Sequence, residues 1–570
     1  MLGHEFTTGL SRRVTRRAFV GISGVALAGL LVACEVDDDD DVTDDVPVAE
    51  PDDDEEEPVE EDDDVDVEED EDDEPGDDDR YGGTLNVALT SDPPTLDIHQ
   101  TTADIVALVT WHIYEPLFTW SEDFELIPEL SETHEVSDDG LTETVTLRQG
   151  VTFHNGEDLT SADVVASFER WSNMSALGAD LREVIDEIDP VDDHTVEFQL
   201  NQSFGAFATL MSRQSQGFAI YPASVVEEST ETELADFIGT GPYQFVEQVS
   251  DQHVHLERFD DYAQAADEPD GYGGHKYRYL DDIYFIPVPD EAARVAGLQA
   301  GDYDYLDVTP QDQFDTLDAD PNVTAELLAP AAWGAFVLNT AEGPMANQTL
   351  RQAIQAALNH EEMAQAGYGE GFFNLDPAIM HAETVWHTTA GEDLYNQNDP
   401  DRAMELMEEA GYDGSTIRIL TSQERTHLYN MAVVAEQQLE DVGFDVELRV
   451  FDWPTVLELR QDPAEWELFQ TNSTFRTDPV MQPYITSTDW PGWWDSDRKV
   501  ELANQLLSET DFDARFAAFE EMQELFYEEV PIIKTAEELT FNARSNRIQG
   551  FTGQVQIGGP GFWNIWVEDE

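Results

Sequence analysis

A chain of 570 residues is long enough for roughly three to five structural units, so burying a large core is no obstacle. It carries 125 acidic against 26 basic side chains, a formal charge of -99, and a single cysteine. That sign repels the phosphates of nucleic acids and anionic lipids over most of the surface, which excludes nucleic-acid binding, and one cysteine excludes an intrachain disulfide.

The acid is unevenly spread. Residues 35–79 hold 31 acidic side chains and no basic one, yet from Arg80 to Glu570 there are still 93 acids against 22 bases. Self-repulsion of this size destabilises a compact chain unless salt shortens the Debye length to about 3 Å at 1 M. With Lys276, Lys499 and Lys534 as its only lysines, the body reads as adapted to high salt.

In chain order, Thr15-Arg16-Arg17-Ala18-Phe19-Val20 resembles a twin-arginine export signal, and Leu31-Val32-Ala33-Cys34 resembles a lipoprotein processing box. The uncharged stretch from Ala18 to Ala33 is shorter than the roughly 20 residues of a membrane span and fits the apolar region of a signal peptide. Residues 1–34 are therefore read as an export signal, with Cys34 taking a lipid. The acidic run 35–79 cannot bury apolar surface and is expected to be an extended, disordered tether. At about 3.3 Å per residue it would reach on the order of 150 Å when stretched.

From Tyr81 the pattern alternates between strand and helix. Thr84 to Leu89 reads as a strand ended by Ser91-Asp92-Pro93-Pro94, and Thr144 to Leu147 and Thr195 to Leu200 alternate with period two as half-buried strands. Thr160-Ser161-Ala162-Asp163 opens a helix with Val164, Val165, Phe168 and Trp171 on its apolar stripe. Asp399-Pro400 opens another that Gly411 ends, and Phe516, Phe519, Met522 and Phe526 mark a third, stopped before Pro531. Between them, the strand at Ile417 and Ile419, the helical spacing from Met431 to Val442 and the strand from Phe444 to Val450 form a βαβ crossover. The fold class is α/β.

Enzyme signatures are absent. No phosphate-binding Gly-x-x-x-x-Gly-Lys run exists, His360-Glu361-Glu362-Met363-Ala364 lacks the second histidine of a zinc helix, and no Gly-x-Ser-x-Gly elbow occurs. Paired carboxylates carry no information in so acidic a chain. His253 with His255, and His381 with His387, are the histidine pairs; neither has metal-ligand spacing with cysteine support, so no metal and no cofactor is expected.

Several segments resemble the large solute-binding proteins of ABC importers, the family that binds oligopeptides, dipeptides or nickel. They are Tyr81-Gly82-Gly83-Thr84-Leu85, the run from Leu147 to Phe168 with Phe153-His154-Asn155-Gly156 at its centre, Gly239-Thr240-Gly241-Pro242-Tyr243, Leu298 to Asp304, Leu338-Asn339-Thr340, Glu409 to Tyr412 and Gln549-Gly550-Phe551. The resemblance covers the chain from about Tyr81 to Phe551. It implies a two-lobed periplasmic-binding-protein-like fold with hinged lobes around a ligand cleft. The implied division is lobe I from residues 80–114, 222–310 and 537–570, an inserted subdomain at 115–221, and lobe II at 311–536.

The same resemblance places ligand contacts in the loop from Ser91 to Pro94 and in the segment from Thr471 to Pro479. Peptide-binding relatives carry an aspartate four residues before that proline, to pair with the ligand's α-amino group. Here Phe475 stands there, with Asp478 beside Pro479. A buried ammonium without a carboxylate would cost several kcal/mol, so either Asp478 takes the role or the ligand has no free amine. Arg476 suits a carboxylate or phosphate on the ligand. Together with Thr471 and Ser473, Trp333 and Trp386 are the remaining expected contacts, as flat rings suited to a roomy cleft.

The reading is a lipid-anchored, extracytoplasmic, monomeric binding protein that captures an oligopeptide or similar solute and delivers it to a permease with separate ATPase subunits. It would catalyse nothing itself. A nickel or metal-chelate carrier, with His381 and His387 as first suspects, and a secreted tethered hydrolase are the alternatives.

Overall fold

The computed structural model describes residues 12–14, 79–230, 232–309, 311–551 and 559–568. The remainder of the expected export signal, Cys34 and the acidic run up to residue 78 lie outside these residues.

One large sheet runs through the body. From edge to edge its strands are Val446–Val450, Ile417–Thr421, Leu468–Thr474, Val323–Leu338, Ile532–Ser545, Tyr305–Leu306, Thr84–Leu89, Asp282–Pro287, His253–Arg258 and Tyr243–Val249. At one end Ile417–Thr421 pairs parallel with both Val446–Val450 and Leu468–Thr474; at the other, Thr84–Leu89 pairs parallel with Asp282–Pro287 and Tyr305–Leu306. Parallel strands need cover on both faces, and in the opening strand Leu85, Val87, Ala88 and Leu89 are all fully buried. Between the two parallel blocks lie Val323–Leu338 and Ile532–Ser545, antiparallel to each other and long enough to belong to both lobes. Their register shifts between Leu328 and Ala332 and again between Trp333 and Ala335, bulges that re-aim the side chains where the lobes meet. Arg12–Val14 lies antiparallel along Leu327–Ala329, an edge that Leu468–Thr474 does not reach.

The helices form where their caps and stripes require. Asp163 Oδ2 accepts from Thr160 N at 2.8 Å, closing a capping box on Ser161–Met174. Asp399 accepts from Arg402 N at 2.9 Å, and Gly411 ends that helix at φ +71°. The crossover helix spans Thr426–Asp441 and packs Met431, Ala432, Ala435 and Leu439 over Ile417 and Ile419. It starts before the expected Met431 because its first turn, Thr426-His427-Leu428-Tyr429-Asn430, is mostly polar and shows no stripe.

A separate antiparallel sheet of Ser131–Val136, Thr142–Leu147, Thr195–Leu200 and Ile185–Asp192 lies within residues 115–221. Val145, Leu147, Val196 and Phe198 are its inward face, packed with Phe168 and Trp171 of Ser161–Met174. His154 joins it to the first lobe: Gly239 N donates to His154 Nδ1 at 3.3 Å, and Nε2 donates to Gly241 O at 3.0 Å. Gly239 is required there, since a Cβ would sit 2.0 Å from Ile113 O. The segment 311–328, expected in the second lobe, shares its core with the first: Phe314, Leu317, Val323 and Leu327 pack with Ala88, Leu306 and Phe541.

A buried charge network also ties the subdomain to the first lobe. Lys276 Nζ donates to Glu115 Oε1 at 2.8 Å and Glu129 Oε1 at 2.7 Å, and Tyr262 and Thr240 donate to the two oxygens of Glu115. Lys276 ion-pairs with both of these fully buried carboxylates, and Arg148 nearby also attracts them. Lys276→Met should therefore lower the unfolding free energy by about 3–5 kcal/mol; an unchanged denaturation midpoint would show that the network contributes little.

Candidate functional site

A cavity of about 500 Å³ lies where the two parallel blocks and the long strands converge. Thr90, at the end of the opening strand, Asp104 at the start of the helix Asp104–Thr110, and Asp307 after the strand Tyr305–Leu306 form its first-lobe wall. The second-lobe wall is His427 at the start of the crossover helix with Asn472 on Leu468–Thr474. Between them, Leu328, Ala332, Glu538 and Asn542 belong to the long strands. Asn472 Nδ2 and His427 Nε2 are 3.1 Å apart; with burial holding His427 down to about 4, its neutral ring nitrogen accepts.

Four polar atoms on this wall are buried and have no hydrogen-bond partner among the described residues: Asp104 Oδ1, Thr309 Oγ1, Asn472 Oδ1 and Asn542 Nδ2. Buried polar groups are almost always paired, so these four leave unused hydrogen-bonding capacity in the cavity's wall.

The electrostatics lean one way. Burial pushes Asp104 up to about 7, with Asp307 adding to the shift while Arg476 and Arg213 oppose it. Burial likewise pushes Glu538 up to about 7 against the pull of Arg425, and Asp307 up to about 6 against Arg294. These three carboxylates are short of positive charge, which a cationic group in the cavity would supply. Arg476 is pushed down to about 9 by burial and by the neighbouring Arg213, so it is equally short of an anion.

A second cavity, of about 200 Å³, opens beside the first: Asn472 lines both, and Arg476, which acts on Asp104 in the first, lines the second. Trp333, Thr471, Ser473 and Arg476, four of the residues expected to bind, line this smaller cavity. The others lie elsewhere. Ser91 is exposed and donates weakly to Asp92 O at 3.4 Å, while its neighbour Thr90 faces the large cavity. Trp386 lines neither; it is buried against Phe512 and Phe519, with the Arg515 guanidinium 4.9 Å from its ring centroid. Phe475 is buried between Phe124 and His381, each 4.8 Å away between ring centroids, where it helps hold the lobes together. Asp478 is already engaged, accepting from Arg515 Nη2 at 3.0 Å and capping Val480 N at 3.0 Å. It is not free to receive an amine.

The histidine pairs are also placed. His253 and His255 face Glu247 at 3.3 Å and Asp282 at 2.7 Å, and both pack on the Tyr284 ring. His387 pairs with Asp376 at 3.1 Å, while His381 stacks on Phe475. Among the described residues no group of three or more potential ligands is placed to hold a metal ion. The acids that sequence reasoning missed, Asp104, Asp307 and Glu538, were masked by the abundance of acid. Asp104 and Asp307 carry a faint signal, each being a carboxylate inside an otherwise apolar run, Asp104-Ile105-Val106 and Leu306-Asp307-Val308.

The raised carboxylates fix a sign. Their folded values exceed the unfolded ones, so between about pH 4 and 7 the empty protein holds more protons than the unfolded chain and loses stability as pH rises. A cationic solute binds the ionised forms. Its affinity should fall as pH drops below about 7, by up to tenfold per unit for each carboxylate that reprotonates, with proton release on binding at pH 6. Calorimetry in buffers of different ionisation enthalpy measures that release, and none at pH 6 would exclude these carboxylates from the contact.

Residues 125–495 match the family of bacterial extracellular solute-binding proteins, family 5. A probable peptide ABC transporter periplasmic-binding protein of Sinorhizobium fredii is 28% identical over 489 residues, spanning 82% of this chain and 90% of that one. Among solved structures, the ABC transporter substrate-binding protein CtaP of Listeria monocytogenes superposes with a TM-score of 0.73 at 23% identity, over 85% of this chain and 99% of that one. The periplasmic binding protein DppA of Helicobacter pylori, in complex with the peptide STSA, gives 0.67 at 22% identity, over 86% and 99%. The sheet shared between two lobes, the cavity at their junction and the match over 125–495 agree: the chain belongs to the family 5 bacterial extracellular solute-binding proteins.

Proposed function

We propose that this protein is the solute-capturing component of an ABC importer and that its cargo is a peptide or similar solute with a cationic group. The observation that carries this reading is the 500 Å³ inter-lobe cavity, with Asp104, Asp307 and Glu538 desolvated on its wall and four unpaired polar atoms around it. An ammonium entering there pairs with carboxylates that are otherwise costly to ionise, which replaces the missing acid at Phe475. Arg476, held down by burial, suits the ligand's carboxylate. The edge of the long strand at Leu327–Ala329, which accepts the extended Arg12–Val14, offers backbone hydrogen bonds to an extended chain next to Leu328 on the cavity wall.

Capture then works by differential affinity. The ligand touches both walls only when the lobes are closed, so it selects the closed state, and a permease reads that state. No step requires catalysis by this chain; ATP hydrolysis belongs to separate subunits. The twin-arginine signal, a lipid on Cys34 and the acidic tether of 35–79 would hold the body outside the cytoplasmic membrane as a monomer, in salt concentrated enough to screen its charge.

Mass spectrometry of small molecules released by denaturing the full protein, purified in molar salt, tests the cargo. A ladder of short peptides, or one amine-bearing solute in near-equal molar amount, is the expected result, reduced at least tenfold by Asp104→Asn or Glu538→Gln. A retained solute with no cationic group would overturn the assignment. Cys34→Ala should release the protein from membranes into the medium; retention at the membrane would refute the lipid anchor.

A further inference from the structure

The smaller cavity has a chemistry of its own. Trp333, Ala335 and Val337 alternate along the long strand and so share one face, and Ser473 and Thr471 sit opposite Trp333 and Ala335 on the neighbouring strand. Tyr484 and Trp490 close the sides: the Tyr484 ring lies 6.3 Å from Trp333 and 5.9 Å from Trp490 between centroids, both at steep angles. Ile532 adds an aliphatic wall. The result is a slot lined by flat rings.

Besides Arg460 and Arg476, its polar lining includes Gln482. That side chain is 3% exposed; its Oε1 accepts from Ser473 Oγ at 3.2 Å, and its Nε2 is buried with no partner among the described residues. Whichever way the amide is turned, one end is paired and the other is buried unpaired in the cavity's wall. Apolar cavities of about 150 Å³ hold a benzene molecule, so about 200 Å³ accommodates one six-membered ring with a small polar substituent. An aliphatic side chain of equal volume would leave the Gln482 amide unsatisfied and forgo edge-to-face contact with the three rings. The slot meets the solute cavity at Asn472, with Arg476 lining the slot and acting on Asp104 across the junction.

We propose that this slot selects the cargo by receiving one aromatic side chain with a hydrogen-bonding tip, of the p-hydroxyphenyl kind, ring against Trp333, Tyr484 and Trp490 and tip on Gln482. The proposal rests on reading the adjacent cavity as the solute site. It makes the protein selective at one position of a peptide, and tolerant at positions that lie in the larger cavity.

The test uses the full protein in molar salt, with calorimetry of trialanine and of the nine peptides in which Tyr, Phe or Leu replaces each alanine in turn. At one position Tyr should bind at least tenfold tighter than Ala, with Phe intermediate and Leu weaker than Phe. Ala335→Leu, which fills the slot, should bring the Tyr-to-Ala ratio at that position to about one. Gln482→Leu, close in volume, should bring the Tyr-to-Phe ratio to about one while the Phe-to-Ala preference stays. Thermal melts of both variants identify any that fail to fold, and the remaining variant then decides. No aromatic preference at any position, or a preference that survives both substitutions, overturns the slot. If no peptide binds, the peptide reading fails, and p-cresol alone decides: binding that Ala335→Leu abolishes upholds the slot, and no binding refutes it.

Discussion

Two antiparallel strands, Val323–Leu338 and Ile532–Ser545, carry the rest of this structure because they lie side by side between the two parallel blocks of the sheet and join them. Backbone hydrogen bonds along them make the lobes continuous, so the lobes share one ribbon and are not independent bodies. Their bulges fall at Leu328 to Ala332 and at Trp333 to Ala335, and both cavities open there. Leu328, Ala332 and Glu538 face the solute cavity; Trp333, Ala335 and Val337 face the aromatic slot. Gly334, between the two, has no room for a Cβ, which would lie 2.6 Å from Thr535 Oγ1. That close approach keeps the ribbon thin where it divides the sites.

Charge works differently inside this protein than on its surface. Outside, the acids are hydrated. Inside the cleft, Asp104, Asp307 and Glu538 are half-buried, and partial desolvation pushes each up against the pull of nearby arginines. Elsewhere in the interior the same desolvation is compensated: Glu115 and Glu129 share Lys276, and Asp478 has Arg515. The contrast between compensated and uncompensated carboxylates, and not the number of acids, sets the cavity apart from the rest of the interior.

Phe475 precedes the cavity-lining Arg476 but itself lines neither cavity. In an apolar stack with Phe124 and His381 it offers nothing to an ammonium, yet it bridges a loop of the inserted subdomain and the second lobe. The acidic side chains on the larger cavity's first-lobe wall, Asp104 and Asp307, come from a helix start and a strand end.

How much was legible follows from what each signal depends on. Local rules act over a few residues, so the sequence by itself determined the opening strand, the capping box at Thr160 and Asp163, the helix closed by Gly411, the βαβ unit around Thr426–Asp441, the acidic balance and the family. It also named Trp333, Thr471, Ser473 and Arg476, which the structure gathers around one cavity. Desolvation is not local. Whether Asp104 differs from any of the other acids, whether Trp386 meets solute or the helix Phe512–Glu529, and whether Asp478 is free or held by Arg515 depend on groups far away in the chain. Only the tertiary structure decided those, because the free energy of a buried charge or ring is set by what surrounds it in space.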